Sequence, residues 1–315
     1  MRPNVLLITL DQFRGDAMSC AGHPVVRTPH LDELASNGVR FGRHYAQAAP
    51  CAPGRAALYT GMYQMNNRVV ANGTPLDHRF DNVARVGIRA GYRPVVFGYT
   101  DVGADPRQIT DPNDPRLSTY EGILPGFEEL LNLDEHQTPW MAHLRELGYD
   151  VSDPDVALST EHERPAEHSV TTFLTDHFLE WLDGQHEPWF AHTSFIRPHP
   201  PYDAAGHYST MYDDVEVPPP LPIPADRHRM HDTFLHIPAA AAPTDPSDID
   251  HLRRQYWGMI SEVDHHLGRI WQALRDRGDW ENTIVVITAD HGEQLCDQGL
   301  VQKLGYFESS YHIIG

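Results

Sequence analysis

Apolar runs that stop abruptly at polar residues constrain this chain more than any other feature. Asn4 to Leu10 ends at Asp11-Gln12, and Pro94 to Tyr99, with Val-Val-Phe at its centre, ends at Tyr99-Thr100-Asp101. Trp189 to Ile196 runs into Arg197-Pro198-His199, and Thr283 to Thr288 into Ala289-Asp290-His291-Gly292. Continuous apolar runs of this length read as strands buried on both faces. Helical stretches separate them. Thr28 as N-cap and Pro29 at the first helical position open one that Gly38 would close. Asp81 to Ala90, His168 to Leu182 and the amphipathic Asp250 to Arg277 read as three more. Glu128 to Leu133 and Thr138 to Leu147 read as short helices, and Asp101 to Thr119 as a loop. Val217 to Pro246, rich in Pro and Ala, reads as a surface excursion. The alternation predicts an α/β fold, a mostly parallel central sheet with helices on both faces. No repeat and no dividing linker appears, so residues 1–315 are expected to form one domain, with the Pro-rich excursion around 217–246.

In a parallel sheet the four polar clusters meet at one edge, the carboxyl end of the strands, where open α/β sheets bind ligands. Asp11, Asp290 and His291, with an amide oxygen nearby, make an oxygen-rich set for a divalent cation. Each pair also has a local reading: Asp11 could cap a turn, Asp290-His291 could open a helix, and Asn72 suits a turn before Gly73. A fifth segment, Cys51-Ala52-Pro53-Gly54-Arg55, leads into the helix-forming run Ala56 to Tyr63. Pro53 suits a first helical turn, so Cys51 is expected just before a helix N-terminus, where unpaired N–H groups attract anions and lower a thiol's pKa. Arg55 adds a forked, permanently charged donor for an oxyanion.

Composition narrows the function. With 24 Lys and Arg against 44 Asp and Glu, the net charge of −20 argues against a nucleic-acid binder. An anionic substrate would then need local cations against the overall field. Three cysteines, Cys20, Cys51 and Cys296, form no disulfide framework and suit a reducing compartment. The apolar run Val5 to Leu10 is too short for a leader or a membrane span, so a cytoplasmic location with no membrane partner is expected.

The pattern C-x-P-x-R followed by Ala-Ala-Leu-Tyr-Thr-Gly resembles the signature of the sulfatase family, in the alkaline phosphatase superfamily. The resemblance implies that Cys51 is oxidised to formylglycine by a formylglycine-generating enzyme. One hydroxyl of the hydrated aldehyde then attacks sulfur or phosphorus, and the second lets the covalent adduct collapse. It also implies one divalent ion, Mn²⁺ or Ca²⁺, held by Asp11, Cys51, Asp290 and His291. Gln12 in place of a second acid, with MYQMNNRVVANGTPLD, VVFGYTD, FIRPHPPY and DHGEQLCDQGLVQKLGYFE, is similar to the phosphonate monoester hydrolase branch. That likeness carries over Gln12, Asn72 and Tyr99 as substrate-binding residues, and His199 and Lys303, beside Cys51 and Arg55, as catalytic ones. His199 is the candidate general acid, since histidine can carry a proton near neutral pH; Lys303 could share that role. Asp101 departs from the branch, which usually has Thr there, and an acid beside an anionic substrate would repel it.

The implied activity is metal-dependent hydrolysis of phosphonate monoesters, phosphodiesters or sulfate esters, on a small anionic substrate. The alternatives are an arylsulfatase, and an inactive truncated homologue that only binds an anion. Family members continue beyond GYFESSYHIIG into a smaller C-terminal domain, so the resemblance also implies a truncation, an exposed apolar surface, weak activity and a possible homo-oligomer.

Overall fold

The computed structural model describes residues 2–119 and 121–315. Five strands form one sheet in the order β3-β2-β4-β1-β5: β1 Asn4–Leu10, β2 Pro94–Gly98, β3 Glu128–Asn132, β4 Phe190–Phe195 and β5 Thr283–Thr288. Every pairing is parallel, with Val5 opposite both Phe190 and Ile284. The chain moves from β1 to β2 and β3 on one side, returns to β4, then crosses to β5 on the other. The order thus reverses around β1, and the crevice at such a switch point is where ligands bind.

Alternation along β1 assigns its two faces. Leu6, Ile8 and Leu10 join a large core with Phe178 of helix Val170–Asp183 and Tyr256, Ile260 and Leu267 of the long helix Pro246–Asp276. Leu7 faces the other way, into a smaller core with Ala52, Ala56 and Tyr59 of helix Cys51–Thr60 and Ala84 of helix Val83–Arg89. Helices therefore cover both faces of the central strands, but the edge strand β5 is not buried on both faces as its apolar run suggests: Ile284 and Val286 are exposed.

Two further sequence readings change. Glu128 to Leu133 is no helix: Glu128–Asn132 is an edge strand that buries only Leu131 and pairs with β2. Its Glu and Leu residues favour helix in isolation, and sheet pairing overrides that weak preference. Thr28 makes no side-chain cap to helix Pro29–Asn37. The N–H groups of His30 and Leu31 instead donate to the Asp264 carboxylate of the long helix, at 3.1 and 2.8 Å. The 217–246 excursion holds a short helix, Arg229–Phe234, and is anchored where the Leu221 N–H donates to Asp297 Oδ1 at 2.9 Å. Ile313 and Ile314 are buried, and Ile313 bridges to Arg14. Among the described residues no helix is long and apolar enough to cross a membrane.

Candidate active site

The strand ends converge as the alternation predicts. β1 delivers Asp11 and Gln12, β2 delivers Tyr99 and Asp101, β4 leads to His199, and β5 leads to Asp290 and His291. Cys51 is the first residue of its helix rather than the residue before it. Gly54 lets that helix close on β5, since a Cβ there would lie 2.5 Å from the Asp290 carbonyl oxygen.

Asp11, Cys51, Asp290 and His291 are all buried, and each offers a ligand atom within 4.8 Å of the others. His291 Nδ1 donates to the Gly292 carbonyl at 3.0 Å. That leaves the Nε2 lone pair facing Cys51 Sγ, 3.2 Å away. Burial holds the imidazole neutral against the pull of Asp290, as a ligand must be. Asp290 Oδ1 accepts from the Gln12 and His291 N–H groups, and Oδ2 from Arg55 Nε at 3.0 Å. Asp11 Oδ2 accepts from the Tyr99 hydroxyl at 2.5 Å and Arg55 Nη2 at 3.1 Å, while its Oδ1 is buried without a partner. The donor set therefore fits a hard or borderline divalent cation. A second acid–histidine group, Asp77, His78 and Asp105, is closed by ion pairs to Arg79 and Arg107.

Arg55 is fully buried behind this group, its Nη1 donating to Ser194 Oγ at 2.8 Å and its guanidinium lying 4.4 Å above the Tyr99 ring. Tyr99 thus holds Asp11 and Arg55 while lining the pocket. Lys303 Nζ donates to Gln12 Oε1 and His199 Nε2, both at 2.8 Å. Burial disfavours its ammonium, but Cys51, Asp11 and Asp290 outweigh that, and its pKa rises. Gln12 has a left-handed backbone (φ 67°) and spends its side chain on Lys303 and Glu293, away from the pocket wall. Asn72 Oδ1 accepts from the Ala52 N–H at 3.0 Å, securing the helix start beside Cys51.

Two electrostatic expectations are corrected. The Cys51 thiol pKa rises, because burial disfavours the thiolate and Asp11, Asp101 and Asp290 surround it. Its helix position alone does not decide its ionisation. His199 is held neutral, its pKa lowered to about 3 by burial and by the Lys303 ammonium, so at neutral pH it accepts rather than carries the proton. Sequence reading missed Ser194 and Glu293, whose roles come from contacts made across the sheet.

The site is thus a buried four-residue ligand group that includes Cys51, backed by Arg55, at the switch point of a parallel α/β sheet. The Sulfatase family profile matches residues 3–313, and the chain belongs to the sulfatase family. A multifunctional alkaline phosphatase superfamily protein, PehA, of Trinickia caryophylli is 34% identical across 99% of this chain and 67% of its own length. The structure of a phosphonate monoester hydrolase of Agrobacterium radiobacter matches with a TM-score of 0.90 at 42% identity, covering 99% of this chain and 67% of that one. A second phosphonate monoester hydrolase, from Silicibacter pomeroyi, matches with a TM-score of 0.88 at 38% identity over the same shares. The fold is alkaline phosphatase-like and the protein is a sulfatase-family hydrolase. The chain spans about two thirds of the length of these relatives.

Proposed function

We propose that this chain hydrolyses phosphonate monoesters and phosphodiesters, with sulfate monoesters as a second substrate class, through a formylglycine formed from Cys51. The observation that carries the proposal is Cys51 Sγ buried among Asp11, Asp290 and His291, with Lys303 beside it. Likeness to two phosphonate monoester hydrolases supports the branch. All three ester types present a monoanionic centre, which suits a site where the buried Arg55 is already shared between Asp11 and Asp290.

Asp11, Cys51 as formylglycine, Asp290 and His291 would hold the divalent ion, Mn²⁺ or Ca²⁺, and such an ion lowers the pKa of an attacking hydroxyl and neutralises substrate charge. Arg55 holds Asp11 and Asp290 in place. The Lys303 ammonium faces the non-bridging oxygens and carries the proton for the leaving oxygen. His199 Nε2 accepts from Lys303 and so positions that proton at the pocket wall. Asn72 fixes the helix start that presents the nucleophile. Cys20, Cys51 and Cys296 are all free thiols, compatible with a cytoplasmic site and maturation there by a formylglycine-generating enzyme.

The test is peptide mass analysis at position 51, elemental analysis, and kcat/KM on matched phosphonate, phosphodiester and sulfate esters. Formylglycine, one ion per chain and phosphorus esters turned over at least as well as sulfates are expected. A clear sulfate preference would instead make the protein an arylsulfatase.

A further inference from the structure

The pocket that opens on Cys51 and Lys303 is small, about 150 Å³, and most of its charged wall has the wrong sign for an anionic substrate. Besides Asp11 it is lined by Asp101, Glu121, Glu135 and Asp155, with Lys303 as its one Lys or Arg among the described residues. Two buried acceptors on this wall lack partners: Asp101 Oδ1 and Gln137 Oε1, on side chains each about 2% exposed. Glu135 is held in direction, its Oε2 accepting from Thr119 Oγ1 at 2.7 Å, and Asp155 lies exposed at the mouth. Native proteins rarely leave buried acceptors unpaired unless a ligand or water completes them. Carboxylates around a concave, partly buried wall focus negative potential and concentrate cations. A divalent ion at the Asp11 group would offset Asp11, but Glu135, Gln137 and Asp155 are not in that group.

Resting on the reading of this pocket as the hydrolytic site, we propose that it selects zwitterionic substrates: esters whose monoanionic centre faces Lys303 while a protonated amine on the ester group faces Asp101, Glu135, Gln137 and Asp155. An ammonium supplies what the wall lacks, a positive charge and N–H donors for the two orphan oxygens. An ester without that charge meets only the repulsive part of the wall. The acid at position 101 then serves selectivity rather than opposing binding.

The test compares 2-aminoethyl methylphosphonate with propyl methylphosphonate, its analogue of similar length without the ammonium, and 2-aminoethyl sulfate with propyl sulfate. For the mature enzyme, kcat/KM is expected to favour the amine by about tenfold or more in the series that is hydrolysed, at about 20 mM salt. The preference should shrink at about 500 mM salt, since the mouth is open to solvent. Glu135→Gln combined with Asp155→Asn should bring the ratio toward one. Where turnover is absent, calorimetric dissociation constants for the same pairs give the ratio. Turnover of sulfates alone would fail the phosphonate reading while still reporting the charge preference. A ratio near one, a preference for the propyl ester, or a ratio the double variant leaves unchanged would overturn the proposal.

Discussion

Among the described residues two arginines, Arg55 and Arg197, are wholly buried, and the balance of charge around them differs. Arg197 makes Nε and Nη2 bonds to Glu161, and donates to the carbonyls of Pro201 at 2.7 Å, Leu158 at 2.8 Å and His199 at 3.0 Å. One acid meets one base there. The nearby Glu262 is pushed well above the usual carboxyl range, by burial and by Glu161, which favours its neutral form, and both its oxygens are buried without a hydrogen-bond partner. Arg55 is as well bonded, but three carboxylates crowd it, Asp11 at 3.1 Å, Asp290 at 3.0 Å and Asp101 at 3.9 Å. Asp11 and Asp101 each keep a buried oxygen with no partner. A network balanced in charge is closed in that sense and serves the fold, here by pinning the loop that carries His199. An open one with surplus negative charge is built around something cationic.

The sharpest break in the comparison is chemical. Cys51→Ala should reduce turnover by about 10³-fold or more while circular dichroism and the unfolding midpoint stay near wild type, because the change removes the nucleophile and little packing. Full-rate turnover in that variant would end the nucleophile assignment. The next largest effect belongs to the closed network. Arg197→Met leaves Glu161 buried without its partner, so chemical denaturation should show a loss of about 3–5 kcal/mol. A loss below about 1 kcal/mol would mean that Glu161 finds water or another partner, and that the network is not closed.

The Arg55 side of this contrast was legible in the sequence through C-x-P-x-R and the strand ends, whereas the Arg197–Glu161 pair was not. Asn4 to Leu10 reads as a strand because burial on both faces keeps it largely apolar up to Asp11, whereas Thr283 to Thr288 reads the same way although Ile284 and Val286 are exposed on one face of an edge strand. Strand ends and C-x-P-x-R together placed the ligand group. The reading of Glu128 to Leu133 as a helix hid more than one element. Residues 133–137 leave the carboxyl end of β3 in a parallel sheet, so Glu135 and Gln137 belong to a fifth strand-end cluster at the pocket. Edge strands bury few residues, and EELLN carries no alternation strong enough to reveal this one. The thiol and imidazole ionisation states failed for a different reason. A helix start and a proline-rich loop are local, whereas the charges that govern Cys51 and His199 arrive from other strands and from Lys303.

Metal removal sharpens the comparison at intermediate size. An ion bound only by the folded chain stabilises it by mass action, about 2.7 kcal/mol at a hundredfold excess over its dissociation constant. Chelation should therefore lower the unfolding free energy by about 3 kcal/mol and abolish turnover, with both restored by Mn²⁺ or Ca²⁺. Chelation should leave the cost of Arg197→Met unchanged, since the closed network is separate from the ligand group. Stability and activity both indifferent to chelator would remove the ion from the account.

The smallest expected effect has the opposite sign, which makes it the most diagnostic. Asp101 has a left-handed backbone, φ 56°, a conformation Asn accepts as readily as Asp. Burial, with Asp11 and Asp290 nearby, raises its pKa from 3.8 to about 7 despite Arg55. A raised carboxyl pKa means that the folded chain holds a proton the unfolded chain releases between those two values. Wild-type stability in the metal-free protein is therefore lost as pH rises from about 4 to about 7, and the penalty is complete above that. Asp101→Asn carries no such charge. In chelator at pH 8 it should be more stable than wild type by about 1 kcal/mol, the usual scale of relief at a strained functional site. The gain should be much smaller at pH 4, where the folded wild-type carboxyl is protonated and the unfolded one has only begun to ionise. It should also shrink when a divalent ion is bound, because the ion offsets the same crowding of carboxylates. Denaturant midpoints for the two proteins at pH 4 and pH 8, with and without chelator, measure all of this. A variant less stable than wild type at pH 8 would mean that the charge on Asp101 is already compensated within the chain, and that the network around Arg55 is closed like the one around Arg197.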